Sequence, residues 1–133
     1  MKWLAVVALA ACGAPTPVAP PPKHLQLNQP GAMVDVGAAV VDGYVTIVDF
    51  WSESCGACGV VAGMVAVAIA YDPYVVLRQI DVGDGFTPVA HAYEIGALPH
   101  FNVYDRKKRL RYVLVGGDCL RAPDLARQLV AEP

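Results

Sequence analysis

Four residues, Cys55-Gly56-Ala57-Cys58, carry the sharpest chemical signal in the chain. Two thiols separated by two residues lie one turn apart when a helix begins at the first, so either sulfur can reach a disulfide formed on the other. The run Tyr44 to Phe50 just before them is β-branched and aromatic, as expected of a buried strand. The pair therefore falls at a strand-to-helix junction. Unpaired N–H groups and partial positive charge at a helix start stabilise a thiolate and lower the first cysteine from its usual pKa of about 8.5. Cys55 is the expected nucleophile and Cys58 the resolving thiol, the two cycling between a dithiol and a Cys55–Cys58 disulfide. The competing chemistry is metal binding or delivery through Cys55, Cys58 and a His. Structural zinc usually takes four ligands in recognisable pairs, however, and only one close cysteine pair is present. Gly59 rather than His follows Cys58, which excludes c-type haem attachment.

The elements around this motif follow from punctuation and periodicity. A helix is expected from about Cys55 to Tyr71, closed by Asp72-Pro73, and a second buried strand from Tyr74 to Val82. Strand, helix and strand in that order imply a parallel crossover. Thr87-Pro88 reads as N-cap and first residue of a short helix through Tyr93. Pro99 to Tyr104 and Leu110 to Val115 form a hairpin around a charged turn, and Gly116-Gly117-Asp118 caps a last helix to about Val130. A strand near Leu25 to Leu27 and a helix around Val34 to Val41 complete the set. The expected class is α/β, a central mixed sheet flanked by helices.

Three segments together resemble the thioredoxin superfamily. Val48-Asp49-Phe50-Trp51-Ser52-Glu53-Ser54-Cys55-Gly56-Ala57-Cys58 is similar to that family's active-site strand and helix start. Tyr93-Glu94-Ile95-Gly96-Ala97-Leu98-Pro99 is similar to the segment leading to its cis-proline, and Val115-Gly116 to its last strand and glycine. The resemblance spans roughly Val45 to Val130 and implies a thioredoxin-like fold, thiol–disulfide oxidoreductase activity without a cofactor, and protein disulfides as substrates. It assigns Asp49 as a buried acid of raised pKa that accepts the proton of Cys58; an acid among Val48, Phe50 and Trp51 is costly to bury without purpose. It places Trp51, Gly56, Ala57, Leu98, Pro99 and Gly116 at the substrate surface, with Pro99 cis. Three departures stand out. Ala57 replaces the proline common in reducing members, which leaves the redox direction open. Ser54 stands where many members carry an aromatic, and Leu77 where thioredoxins proper carry a lysine near the buried acid.

Other residues invite two readings each. Cys119 is either a third exchangeable thiol or a small buried residue with an inert one. His100 would perturb the thiols if its side of the strand faces them, whereas His91 reads as helix surface. Arg106-Lys107-Lys108-Arg109 with Arg111 is most simply a solvated turn. The helix from Gly59 to Ala70 has no charged or polar side chain, so a partner or the N-terminal segment is expected to cover it.

The N-terminus reads separately. Lys2 followed by the apolar run Trp3 to Leu9 resembles a secretory signal, and Leu9-Ala10-Ala11-Cys12 resembles a bacterial lipobox, with residues 1–11 removed and Cys12 lipidated. Residues 12–23 are Pro-rich and form an extended tether, ahead of a domain over residues 24–133. The implied location is the bacterial cell envelope on the periplasmic side, with a membrane electron donor or other redox partner. Gly13 after the cysteine, rather than Asp, is what the resemblance associates with sorting to the outer membrane. Ten Lys and Arg against twelve Asp and Glu give a formal charge of −2, which offers no field for nucleic acid.

Overall fold

The computed structural model describes residues 12–133. The signal-like residues 1–11 lie outside the described residues. Residues 12–22 carry no helix or strand and are largely exposed.

Strand β1 (His24–Gln26) leads into a short helix α1 (Val36–Ala39) and the central strand β2 (Val45–Trp51). Helix α2 (Gly56–Ala68), β3 (Val75–Asp81), α3 (Pro88–Ala92) and the hairpin β4 (His100–Tyr104) and β5 (Leu110–Val115) follow. A 3-10 segment (Gly116–Arg121) and α4 (Ala122–Ala131) close the chain. The five strands lie in the order β1-β3-β2-β4-β5. β1 and β2 run parallel to β3, while β4 is antiparallel to both β2 and β5, so the sheet is mixed as expected.

Alternation along the strands divides the core in two. Val45 and Ile47 of β2, Leu77 of β3 and Phe101 and Val103 of β4 pack under α2 and α4 against Val65, Ile69 and Leu129. Val48, Phe50 and Ile80 pack on the other face against Val36, Val40 and Val89. Because Asp49 alternates with Val48 and Phe50, it points to the α2 and α4 side, as does Gln79, its register partner on β3.

One expectation is corrected. Glycines and Asp118 do not open the last α-helix directly: residues 116–121 wind as 3-10 turns, and the α-helix starts at Ala122. Pro123 has no N–H to donate and so fits a first helical turn, not a helix interior. Thr87 occupies the N-cap of α3 with Pro88 following, but its hydroxyl makes no cap bond and donates instead to Val82 O at 2.7 Å.

The charged hairpin turn is organised, not simply solvated. Asp105 Oδ1 accepts from the Lys107 and Arg109 N–H groups at 2.9 and 3.0 Å, and Oδ2 from Arg109 Nε and Arg111 Nη1 at 2.8 and 3.2 Å. Burial alone would raise this carboxyl, but those donors hold it down at about 2. Its stabilising contribution is therefore present above pH 3.8 and lost as pH falls through about 2. Asp105→Ala is expected to cost about 2 kcal/mol at neutral pH by urea denaturation, with the difference shrinking in acid.

Candidate active site

β2 ends at Trp51, and the chain turns through Ser52, Glu53 and Ser54 before Cys55 takes the N-cap position of α2 with φ −91° and ψ 95°. An extended backbone at the N-cap turns the Cys55 side chain back over the first turn, where Cys58 N–H donates to Sγ at 3.2 Å. The two sulfurs are joined as a disulfide, with Cα atoms 5.3 Å apart. Cys55 is partly exposed, whereas Cys58 is 1% exposed, so an incoming thiol or disulfide reaches only the first sulfur. The N–H that contacts Cys55 Sγ is also placed to stabilise a thiolate on it once the bond opens. Gly56 and Ala57 lie exposed between them, and nothing lies within 4 Å of a Cβ placed on Gly56.

Asp49 is fully buried on the same side of the sheet as α2. Gln79 Nε2 donates to its Oδ2 at 2.8 Å, while Oδ1 is buried without a hydrogen-bond partner among the described residues. Burial pushes the carboxyl up to about 6, although the Gln79 amide and the nearby His24 both pull it down. His24 Nε2 lies 2.6 Å from Gln79 Oε1. Sequence reasoning missed both partners. The resemblance directs attention to Leu77, but that residue pairs with Ile47, one strand repeat away from the acid, and is buried among apolar side chains. Gln79 shares Leu77's face of β3 by alternation, so the period of two carried a signal; His24 carried none, because its register on β3 is a tertiary fact.

The Leu98–Pro99 peptide bond is cis, with Leu98 half-buried and Pro99 buried. Pro99 O accepts from the Gly116 N–H at 2.9 Å, which locks the proline loop to the end of β5. Gly116 has φ +61°, a conformation that favours glycine. Trp51 is half-buried and donates through Nε1 to Gln26 Oε1 at 3.1 Å, tying the end of β2 to β1. It lines a groove of about 280 Å³ together with Cys58, Gly59, His24 and Gln79.

Cys119 is fully buried, its thiol donating to Leu114 O at 3.4 Å and set 3.6 Å from Pro99 O. Burial, reinforced by the charge of Asp49, pushes this thiol up to about 11, which makes it the inert member of the set. His100 turns away from the cysteines: it packs edge-on to Phe50 at 5.6 Å on the other face, hydrogen-bonds Asn102 Oδ1 through Nε2, and burial lowers its pKa. A Cys55, Cys58 and His100 metal set is therefore not assembled, and no cluster of three or more metal-binding side chains exists among the described residues. His91 is exposed on α3 as expected, and the basic hairpin lies at the end of β4 remote from Pro99. No described residue buries the outer face of α2, where Val60, Met64 and Val67 are exposed. Cys12 is exposed with a free thiol.

A dithiol–disulfide pair at a helix start, beside a cis-proline and above a buried acid on a β1-β3-β2-β4-β5 sheet, defines a thioredoxin-fold redox protein. The Thioredoxin family profile matches residues 37–123, more than half of the chain. Among solved structures, a point mutant of a Halobacterium salinarum thioredoxin matches with TM-score 0.67 at 19% identity, over 88% of this chain and 99% of that one. A reduced Schistosoma mansoni thioredoxin matches with TM-score 0.63 at 22% identity, over 81% and 99% of the two chains. The Drosophila germline thioredoxin Deadhead is 27% identical, with TM-score 0.56 over 71% and 88%. A search of curated protein sequences returns no match. The chain belongs to the thioredoxin family, and its Cys55–Cys58 pair makes it a thiol–disulfide oxidoreductase.

Proposed function

We propose that this oxidoreductase works outside the cytoplasm of a bacterium, tethered by a lipid on Cys12, where it reduces or exchanges disulfides in exported proteins. The observation that carries the chemistry is the exposed Cys55 sulfur held over the first turn of α2 beside a buried Cys58. The observation that supports the location is the extended, exposed stretch from Cys12 to Pro22 that separates a free thiol from the first strand.

In the reducing direction the Cys55 thiolate attacks a substrate disulfide, forming a mixed disulfide and expelling one substrate thiolate. Cys58 then gives its proton to Asp49, attacks Cys55 Sγ, and releases the second substrate thiolate as the Cys55–Cys58 disulfide forms. Two electrons pass from the protein dithiol to the substrate. The backbone beside Leu98 and cis-Pro99, with Trp51, Gly56, Ala57 and Gly116, offers the surface against which an extended substrate segment lies. An oxidising compartment returns the pair to the disulfide, so continuous reduction requires a membrane electron donor or another redox partner.

In a Gram-negative host, the full chain should take up labelled palmitate and sediment with membranes, and Cys12→Ser should do neither. Acid quenching and thiol alkylation of the same fractions read the pair's redox state: a largely reduced pair marks a donor-coupled reductase, an oxidised pair an oxidant. Recovery of unlabelled protein in the cytoplasm would overturn the location.

A further inference from the structure

We propose that His24, the first residue of β1, is a positioning residue for the resolving half of the reaction: through the Gln79 amide it fixes one oxygen of Asp49 and leaves the other free as the base. This rests on the reading of Asp49 as the acceptor of the Cys58 proton.

The chain of contacts is continuous. His24 Nε2 meets Gln79 Oε1 at 2.6 Å, and Gln79 Nε2 donates to Asp49 Oδ2 at 2.8 Å. An amide has one accepting and one donating end, so a donor on its oxygen dictates that its NH2 faces the acid. His24 must therefore carry its proton on Nε2. The orientation commits Oδ2 and leaves Oδ1, buried and without a partner among the described residues, as the oxygen able to take a proton. Neither Leu77 nor another side chain of β3 supplies a cation to the acid's face, so the exposed imidazole substitutes from a neighbouring strand.

The groups surrounding Asp49 are few. Cys58 of α2 shares the groove with Gln79 and His24, and Cys119 of the 3-10 segment lies within electrostatic reach of the acid. Phe101, opposite on β4, is uncharged. Lys23 is held by Asp72 O, and Arg78 alternates to the other face, where it donates to Pro22 O. Among the described residues His24 is thus the side chain whose charge acts on the carboxylate, and it favours the ionised acid.

The resolving step needs an ionised Asp49: the Cys58 S–H proton moves to Oδ1, the Cys58 thiolate forms a bond to Cys55 Sγ, and the substrate thiolate leaves with the electron pair of the broken S–S bond. Loss of His24 frees the amide to flip and removes the nearby charge, so fewer molecules present the base below neutral pH.

The test uses the whole chain, following the Asp49 carboxyl carbon by 13C NMR in the oxidised protein and the single-turnover resolving rate by Trp51 fluorescence. His24→Ala should move the Asp49 midpoint upward and slow resolution about threefold at mildly acidic pH, converging with wild type in base. His24→Lys, which keeps a cationic donor, should restore most of both. Because His24 is exposed, a merely structural loss would change stability but leave the midpoint in place. Asp49→Asn separates the two claims. If that variant resolves as fast as wild type at every pH, the acceptor reading of Asp49 fails. If it resolves slowly while His24→Ala leaves midpoint and rate unmoved, the role of His24 alone is overturned.

Discussion

Cys58→Ser is expected to leave the first attack intact and to lower turnover of a disulfide substrate by about a thousandfold or more, because the mixed disulfide then has no internal nucleophile. The exposed Cys55 sulfur, with the backbone N–H of position 58 still beside it, continues to react with substrate; the serine hydroxyl at the buried position cannot displace it. Substrate should accumulate as a covalent adduct of Cys55, visible by mass spectrometry and released by an added reductant. Cys55→Ser should show neither turnover nor adduct, since Cys58 is 1% exposed and Cys119 is fully buried with its thiol pushed up to about 11. An adduct of equal yield on Cys55→Ser would mean that Cys58 can be reached from outside and that the order of attack is reversed.

The position of this pair at a strand-to-helix junction was legible in the sequence because it depends on local facts. A β-branched strand running into two cysteines fixes a helix start, expected at about Cys55 and found there with Cys55 as the N-cap of α2. The hairpin strand Leu110–Val115 was placed to the residue for the same reason, with a charged turn before it and glycines after. What sequence reasoning lost depends on pairing between distant strands. Gln79 became the neighbour of Asp49 only through the parallel register of β2 on β3, and His24 reached Gln79 only because β1 joins the same strand from its other edge. The orientation of His100 was undecidable without knowing that it pairs with Phe50, which commits its side chain to the face away from α2. The glycines and Asp118 misled at the C-terminus: they announced a helix start, yet Pro123 sits in the first α-helical turn several residues later.

Asp49→Asn should stabilise the oxidised protein while impairing its chemistry, the opposite of what a buried hydrogen-bonded acid would do if it served packing alone. The carboxyl is raised from 3.8 to about 6, so the native state holds this proton more tightly than the unfolded chain. The associated stability is fully present below pH 3.8 and is lost as pH rises through about 6. At pH 8 the fully buried, ionised group costs the fold about 3 kcal/mol by linkage. Asparagine keeps an acceptor for Gln79 Nε2 but brings a buried NH2 whose partner is not assured, which returns about 1 kcal/mol of that gain. Urea denaturation of the oxidised chain should therefore show the variant about 2 kcal/mol more stable than wild type at pH 8, and no more stable at pH 4. The decline in wild-type stability between pH 4 and pH 7 should flatten in the variant. Equal stabilities at pH 8 would mean that Asp49 is solvated or paired in solution and not held as a buried base. A stabilised variant whose resolving step slows would instead show that this chain retains an unfavourable charge in its core because Cys58 needs somewhere to leave its proton.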